Sequence, residues 1–261
     1  IKGEPQFPLQ YGSDIVFPLH ADFEPNMLEA VYWHNTFKSK RIQFVPFKKK
    51  LSHNFKGMIK SDVRQFDIAP SIEMYREIFL MDLDTGVLVV PADRGVLKTS
   101  RLRETFKMSR RPFLLSRLGH PYRGIVISLN GPNPAQVLES GIEMVQLINA
   151  SRGKDEPKIT YQTLYVTLPK EMRGNDEELQ RRHRHEVIKD YEGIYRETID
   201  YVELEGNPVR ETLNFLDPRE YELLILSMNP EQPISVFKPN VPYLIAKTSH
   251  LSTLVIPEVI D

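Results

Sequence analysis

The chain of 261 residues contains no cysteine. Disulfides, thiolate metal sites and cysteine nucleophiles are therefore excluded. It also lacks a long apolar run: the longest, such as Gly86–Val90 and Leu223–Leu226, have strand length. A membrane span needs about 18–20 apolar residues. Charge of one sign is missing too, with 34 Lys and Arg against 35 Asp and Glu, a formal net charge of −1. Bulk electrostatics thus gives no support to nucleic-acid binding. No secretory signal is visible. The start at Ile1, followed by the linker-like Lys2-Gly3-Glu4-Pro5, reads as a fragment cut from a longer protein.

What is present is an ordinary globular composition, 41% apolar and 26% charged. Short apolar or alternating segments predict strands at Asp14–Leu19, Arg41–Phe47, Val63–Ile68, Gly86–Pro91 and Pro112–Leu115. Helical spacing is expected over Met27–Ser39, with Asn26 as N-cap, and over Pro70–Asp82. The order then restarts with a strand at Gly124–Leu129 and a helix at Ala135–Ser151, whose stripe is Val137, Leu138, Gly141, Ile142, Met144, Val145 and Ile148. Strands follow at Ile159–Leu168, Thr198–Leu204, Tyr221–Ser227, Pro242–Ala246 and Ser252–Ile256, with helices at Asn175–Arg196 and Asn207–Leu216. Strands separated by helices predict mostly parallel sheets. Two consecutive α/β units are expected, 1–118 and 119–261.

Chemical motifs are sparse. No Gly-x-Ser-x-Gly elbow, Walker loop, Gly-x-Gly-x-x-Gly or His-Glu-x-x-His occurs, so no catalytic residue, metal site or cofactor is expected. Asn130-Gly131-Pro132-Asn133-Pro134 follows a strand, where α/β sheets bind ligands. Asn and Gly there could hold an anion or a ribose, but an ordinary turn with Asn133 capping the helix is the favoured reading. Arg181-Arg182-His183-Arg184-His185 reads as a solvated helix face. His183 and His185 point about 200° apart on a helix and cannot share an ion. Lys48-Lys49-Lys50 is a basic loop, solvated or turned to anionic lipid at about 1 kcal/mol per Lys. Trp33, the only tryptophan, is expected in the core or at a domain interface.

The turn Gly206-Asn207-Pro208, its short helix and the strand Tyr221–Ser227 resemble the late part of the universal stress protein fold. Gly124 to Ala150 resembles that family's opening strand and helix, and Val241–Ala246 its final strand. In the first half, Gly86–Pro91 and Arg111–Leu115 are similar to its last two strands. The resemblance implies a tandem pair of open, mostly parallel sheet units of universal-stress-protein type, HUP- or Rossmann-like. ATP-binding members carry an Asp after the first strand; here Asn130, or His20-Ala21, stands there. They also carry a glycine-rich phosphate loop after the fourth strand. Here Met228-Asn229-Pro230-Glu231-Gln232-Pro233 has no Gly, and its prolines lack N–H donors. The resemblance thus leaves a degenerate nucleotide pocket, with Asn130, Gly131, Asn133 and Ser227 as candidate ligand-binding residues.

Degenerate tandem domains of this kind resemble the cytosolic C-terminal regions of secondary transporters. Cation/proton antiporters come first, then cation–chloride cotransporters and amino-acid permeases. The resemblance implies a non-enzymatic regulatory domain on the cytoplasmic face of a membrane. Its partners would be its own transmembrane domain and a second copy of itself, with weak membrane contact and no nucleic acid. A free-standing nucleotide-binding stress protein is the alternative. Ser252–Ile256 is the candidate exposed edge strand for pairing two copies.

Overall fold

The computed structural model describes residues 14–19, 24–38, 41–46, 85–92, 99–117, 121–216, 221–234 and 240–258. The expectations at Lys48–Lys50, Val63–Ile68 and Pro70–Asp82 lie outside them. Among the described residues nine strands form one sheet: β1 (Asp14–Leu19), β2 (Arg41–Pro46), β3 (Thr85–Pro91), β4 (Phe113–Ser116), β5 (Gly124–Ser128), β6 (Thr160–Thr167), β7 (Tyr201–Glu205), β8 (Leu223–Met228) and β9 (Ser252–Pro257). The α-helices described with them are α1 (Glu24–Phe37), α2 (Thr99–Met108), α3 (Pro134–Ser151), α4 (Asn175–Tyr195), α5 (Pro208–Phe215) and α6 (Val241–Thr248).

The sheet order is β2-β1-β3-β4-β9-β8-β5-β6-β7. Every pairing is parallel except β4 with β9, which runs antiparallel through Phe113–Val255, Leu114–Leu254 and Leu115–Thr253. The early strands thus join the late ones along a single seam, and the strands on its two sides point in opposite directions. Ser252–Ile256 is therefore no edge. It lies mid-sheet between β4 and β8, and every residue of β9 is buried.

Alternation along the strands feeds two apolar layers, because successive side chains leave opposite faces. Val87, Val89, Ile125, Ile127, Ile225 and Leu254 meet Trp33, Ile142 and Ile188 on one face. Leu88, Val90, Val126, Leu224 and Val255 meet Phe106, Tyr243 and Ile245 on the other. Helices α1, α3 and α4 cover the first face, and α2, α5 and α6 the second. The stripe of α3 is buried as its spacing requires, and a Cβ on Gly141 would come within 2.4 Å of Ile127 Cδ1.

Local signals set the helix starts. Asn133 accepts from Gln136 N at 3.1 Å, opening α3 behind Pro134. Asn207 accepts from Val209 N and Arg210 N, opening α5 behind Pro208. Gly206 takes φ +144° in that turn, a conformation that side chains resist. The same chemistry corrects the strand expected at Val241–Ala246. Asn240 accepts from Tyr243 N at 3.0 Å, Pro242 supplies its fixed φ in the first turn, and the segment is the helix α6. Asn26 is likewise no N-cap. It lies inside α1, and its amide donates to Ser116 O at 3.0 Å.

Candidate functional site

Chain order reverses between β5 and the neighbours β6 and β8, which opens the crevice where α/β sheets take ligands. Asn130, Gly131, Asn133 and Ser227 all meet there. Leu129 N donates to Leu164 O at 2.8 Å, extending the β5–β6 ladder. The Asn130 side chain continues it: Nδ2 donates to Val166 O at 2.7 Å and Oδ1 accepts from Val166 N at 2.8 Å. A carboxamide can serve both backbone groups, whereas an ionised Asp could serve only the N–H. Asn130 is thus committed to the sheet.

The other three residues close on one another. A Cβ on Gly131 would fall 2.0 Å from Ser227 Oγ and 2.7 Å from Ser227 O, so the loop rests directly on β8. Ser227 is fully buried, and its Oγ accepts from Asn133 N at 3.4 Å. Beyond β8 the backbone donors turn inward. Glu231 N donates to Asn229 Oδ1 at 2.7 Å and Gln232 N to Asn229 O at 3.1 Å. Those N–H groups are the ones a phosphate cradle would need. Glu231 also brings negative charge, paired with Arg110 at 2.7 Å.

One residue of the basic run belongs here against expectation. Arg184 is 6% exposed, which corrects the solvated reading at this one position, while Arg182 and His183 are exposed as expected. Its Nε donates to Leu129 O at 3.1 Å and its Nη2 to Gln180 Oε1 at 3.2 Å; its guanidinium lies over the Tyr165 ring. Nη1 is buried with no hydrogen bond. Burial holds its pKa below the ordinary arginine value, against the pull of Glu177, Tyr165 and Glu203. The signal available in the sequence was position: Arg184 lies three and four residues before Val187 and Ile188, on the apolar side of α4. Beside it, Tyr165 donates to Glu203 Oε2 at 2.7 Å and meets His185 Nε2 at 2.8 Å, and Arg181 Nε donates to Glu203 Oε1 at 2.7 Å.

A second polar cluster lies at the β4–β9 seam. Glu29 of α1 is fully buried and accepts from the hydroxyls of Ser116, Tyr122 and Ser252. Trp33 Nε1 donates to Tyr122 OH at 2.7 Å, which places the tryptophan in the core at the junction. Burial, then Glu29, raises the Tyr122 pKa well above its ordinary value. The three hydroxyls come from different segments of the chain, and each ties its segment to α1.

Two cavities flank these clusters. One of about 410 Å³ is framed by Tyr32, Asn35, Thr36, Arg123, Arg152 and Glu156. The other, of about 540 Å³, is framed by Lys170, Arg173, Gly174, Asn175, Glu178 and Arg181. In the second, Arg173 and Arg181 are already engaged by Glu205 and Glu203. Among the described residues no group of three or more His, Asp or Glu could hold a metal ion, and no helix is long and apolar enough to cross a membrane.

No family model matches the chain, and no curated protein matches it in sequence. Solved structures do match in shape. A functionally unknown protein from Pseudomonas aeruginosa superposes with TM-score 0.65 at 12% identity, over 95% of this chain and 94% of its own. A universal stress protein from Archaeoglobus fulgidus superposes with TM-score 0.62 at 12% identity, over 94% and 98%. The cytoplasmic domain of a prokaryotic cation chloride cotransporter superposes with TM-score 0.54 at 10% identity, over 94% and 95%. The chain thus has a universal-stress-protein-like, Rossmann-type α/β fold with a mixed, mostly parallel sheet.

Proposed function

We propose that the chain is a non-catalytic regulatory domain of a membrane secondary transporter, placed on the cytoplasmic face of the membrane. The observation that carries this reading is the closed crevice at β5 and β8. Gly131 rests on Ser227, Asn130 is bound to β6, and the loop after β8 spends the N–H groups of Glu231 and Gln232 on the side chain and carbonyl of Asn229. Such a crevice suits a domain that works through its surfaces. The likeness in shape to a cotransporter's cytoplasmic domain, over nearly the whole of both chains, supports the transporter part. Cation/proton antiport, cation–chloride cotransport and amino-acid permeation are the candidate settings.

The mechanism is a bias on a conformational equilibrium. The domain contacts the transporter's cytosolic face, or a second copy of itself, differently in two gating states. A few kcal/mol of differential contact shifts such an equilibrium decisively.

The test is an immunoblot of membranes from the source cells, washed with carbonate and probed with an antibody to this chain. The expected band is far larger than 261 residues and leaves the membrane only in detergent. A soluble band of about the mass of this chain overturns the reading. Millimolar ATP is expected to leave the melting temperature of the isolated chain unchanged. A rise of several degrees favours a nucleotide-binding stress protein instead.

A further inference from the structure

The cavity of about 410 Å³ lies where α1 meets the connection before β5 and the end of α3. Its size is that of a small-molecule site. Tyr32, Pro121 and Pro157 give it apolar and ring surfaces. Two opposite charges flank it. Arg152 donates Nη1 to Pro157 O and Nη2 to Tyr122 O, both neutral carbonyls, and it also reaches the Tyr32 hydroxyl. Among the described residues no carboxylate forms an ion pair with it, and a guanidinium has further N–H donors to offer. Glu156 is exposed and likewise has no ion pair among the described residues. The two frame one cleft without pairing to each other. The remaining charge, Arg123, is engaged by Glu222 at 2.7 Å. Asn35 adds a carboxamide to the lining.

We propose that this cleft binds a free α-amino acid with an aromatic side chain. A separated cation and anion complement a zwitterion, which carries both charges on one carbon. The ligand carboxylate takes Arg152, whose planar fork suits it. The ligand ammonium takes Glu156, near the C-terminal end of α3, where the helix dipole also favours a cation. The ring lies against Tyr32 and the prolines. The Tyr32 ring meets Tyr122 edge-on at 5.2 Å, and Tyr122 bonds Glu29, so occupancy borders directly on the seam. This site stands whether or not the chain serves a transporter.

The test is calorimetric titration of the 261-residue chain with L-phenylalanine. Saturable binding is expected. 3-Phenylpropionate, which lacks the ammonium, and phenethylamine, which lacks the carboxylate, should bind at least tenfold more weakly. Glu156→Gln and Arg152→Gln should each weaken phenylalanine at least tenfold. Glu156 is exposed, so its variant is expected to melt like the parent and keeps the test valid if Arg152→Gln unfolds. No saturable heat up to about 10 mM phenylalanine, equal binding of 3-phenylpropionate, or an unaffected Glu156→Gln overturns the proposal.

Discussion

Glu29 Oε2 accepts a hydrogen bond from Ser252 Oγ at 3.0 Å, across 223 residues of chain. The same oxygen takes the Ser116 hydroxyl, and its neighbour takes Tyr122. One buried carboxylate therefore ties α1, β4, the connection before β5 and β9 together. Glu29→Ala would take the acceptor from three hydroxyl donors at the seam. An unsatisfied buried donor costs about 1–3 kcal/mol, and partial rearrangement of the hydroxyls should hold the total near ~3 kcal/mol. Urea denaturation measures it, and a loss below about 1 kcal/mol would show that the cluster does not bind the seam.

Gly131→Ala should destabilise by about 1–3 kcal/mol, the range of overpacking, because the new methyl meets Ser227 Oγ and carbonyl O together. Removing the hydroxyl leaves the carbonyl at 2.7 Å. The double variant with Ser227→Ala should therefore recover only part of the loss. Full recovery in a thermal melt would mean that the loop can lift away from β8.

Arg184→Met should change stability by less than about 1 kcal/mol, since replacing a buried charge by an apolar residue of similar length is often neutral or better. Nη1 already forgoes a hydrogen bond, and the Tyr165 ring offers an apolar seat. Losing more than about 2 kcal/mol in denaturant would mean that the bond to Leu129 O holds the strand end in place.

Glu203 carries a pH dependence. Burial raises its pKa, but the hydrogen bonds from Arg181 and Tyr165 outweigh it and leave the group below its ordinary value. A carboxylate depressed in the folded state contributes stability above its unfolded pKa, and loses it as pH falls through the folded one. Stability should thus decline from about pH 4.3 downward, and Glu203→Gln should flatten that part of the curve. At neutral pH the variant should cost about 1 kcal/mol. Chemical denaturation at several pH values checks both.

The fold was legible wherever a local signal was complete. The stripe from Val137 to Ile148, with Asn133 ahead of it, predicts α3 almost to the residue. Val241–Ala246 misled because a short apolar run behind a proline suits a strand or a buried helix equally. Asn240 decides for the helix, and its cap is a contact of one residue. The burial of β9 was not legible, because its antiparallel partner β4 lies far away in sequence. Of the candidate site, Asn130, Gly131, Asn133 and Ser227 do converge. That they fill their own crevice depends on distances no spacing encodes. Arg184 was missed because its neighbours in sequence are all polar, while its direction on α4 is set by Val187 and Ile188.

The sheet ends at β7 among the described residues, and that end has a guarded chemistry. If two copies joined there about a two-fold axis centred on Glu203, each Glu203 would face its own counterpart, and Tyr201 would face Glu205. Carboxylates directly opposite repel, and neither Glu203 could turn aside without giving up its bonds from Arg181 and Tyr165. Lateral growth of the sheet beyond β7 in that register is thus opposed by the same contacts that order its last strand.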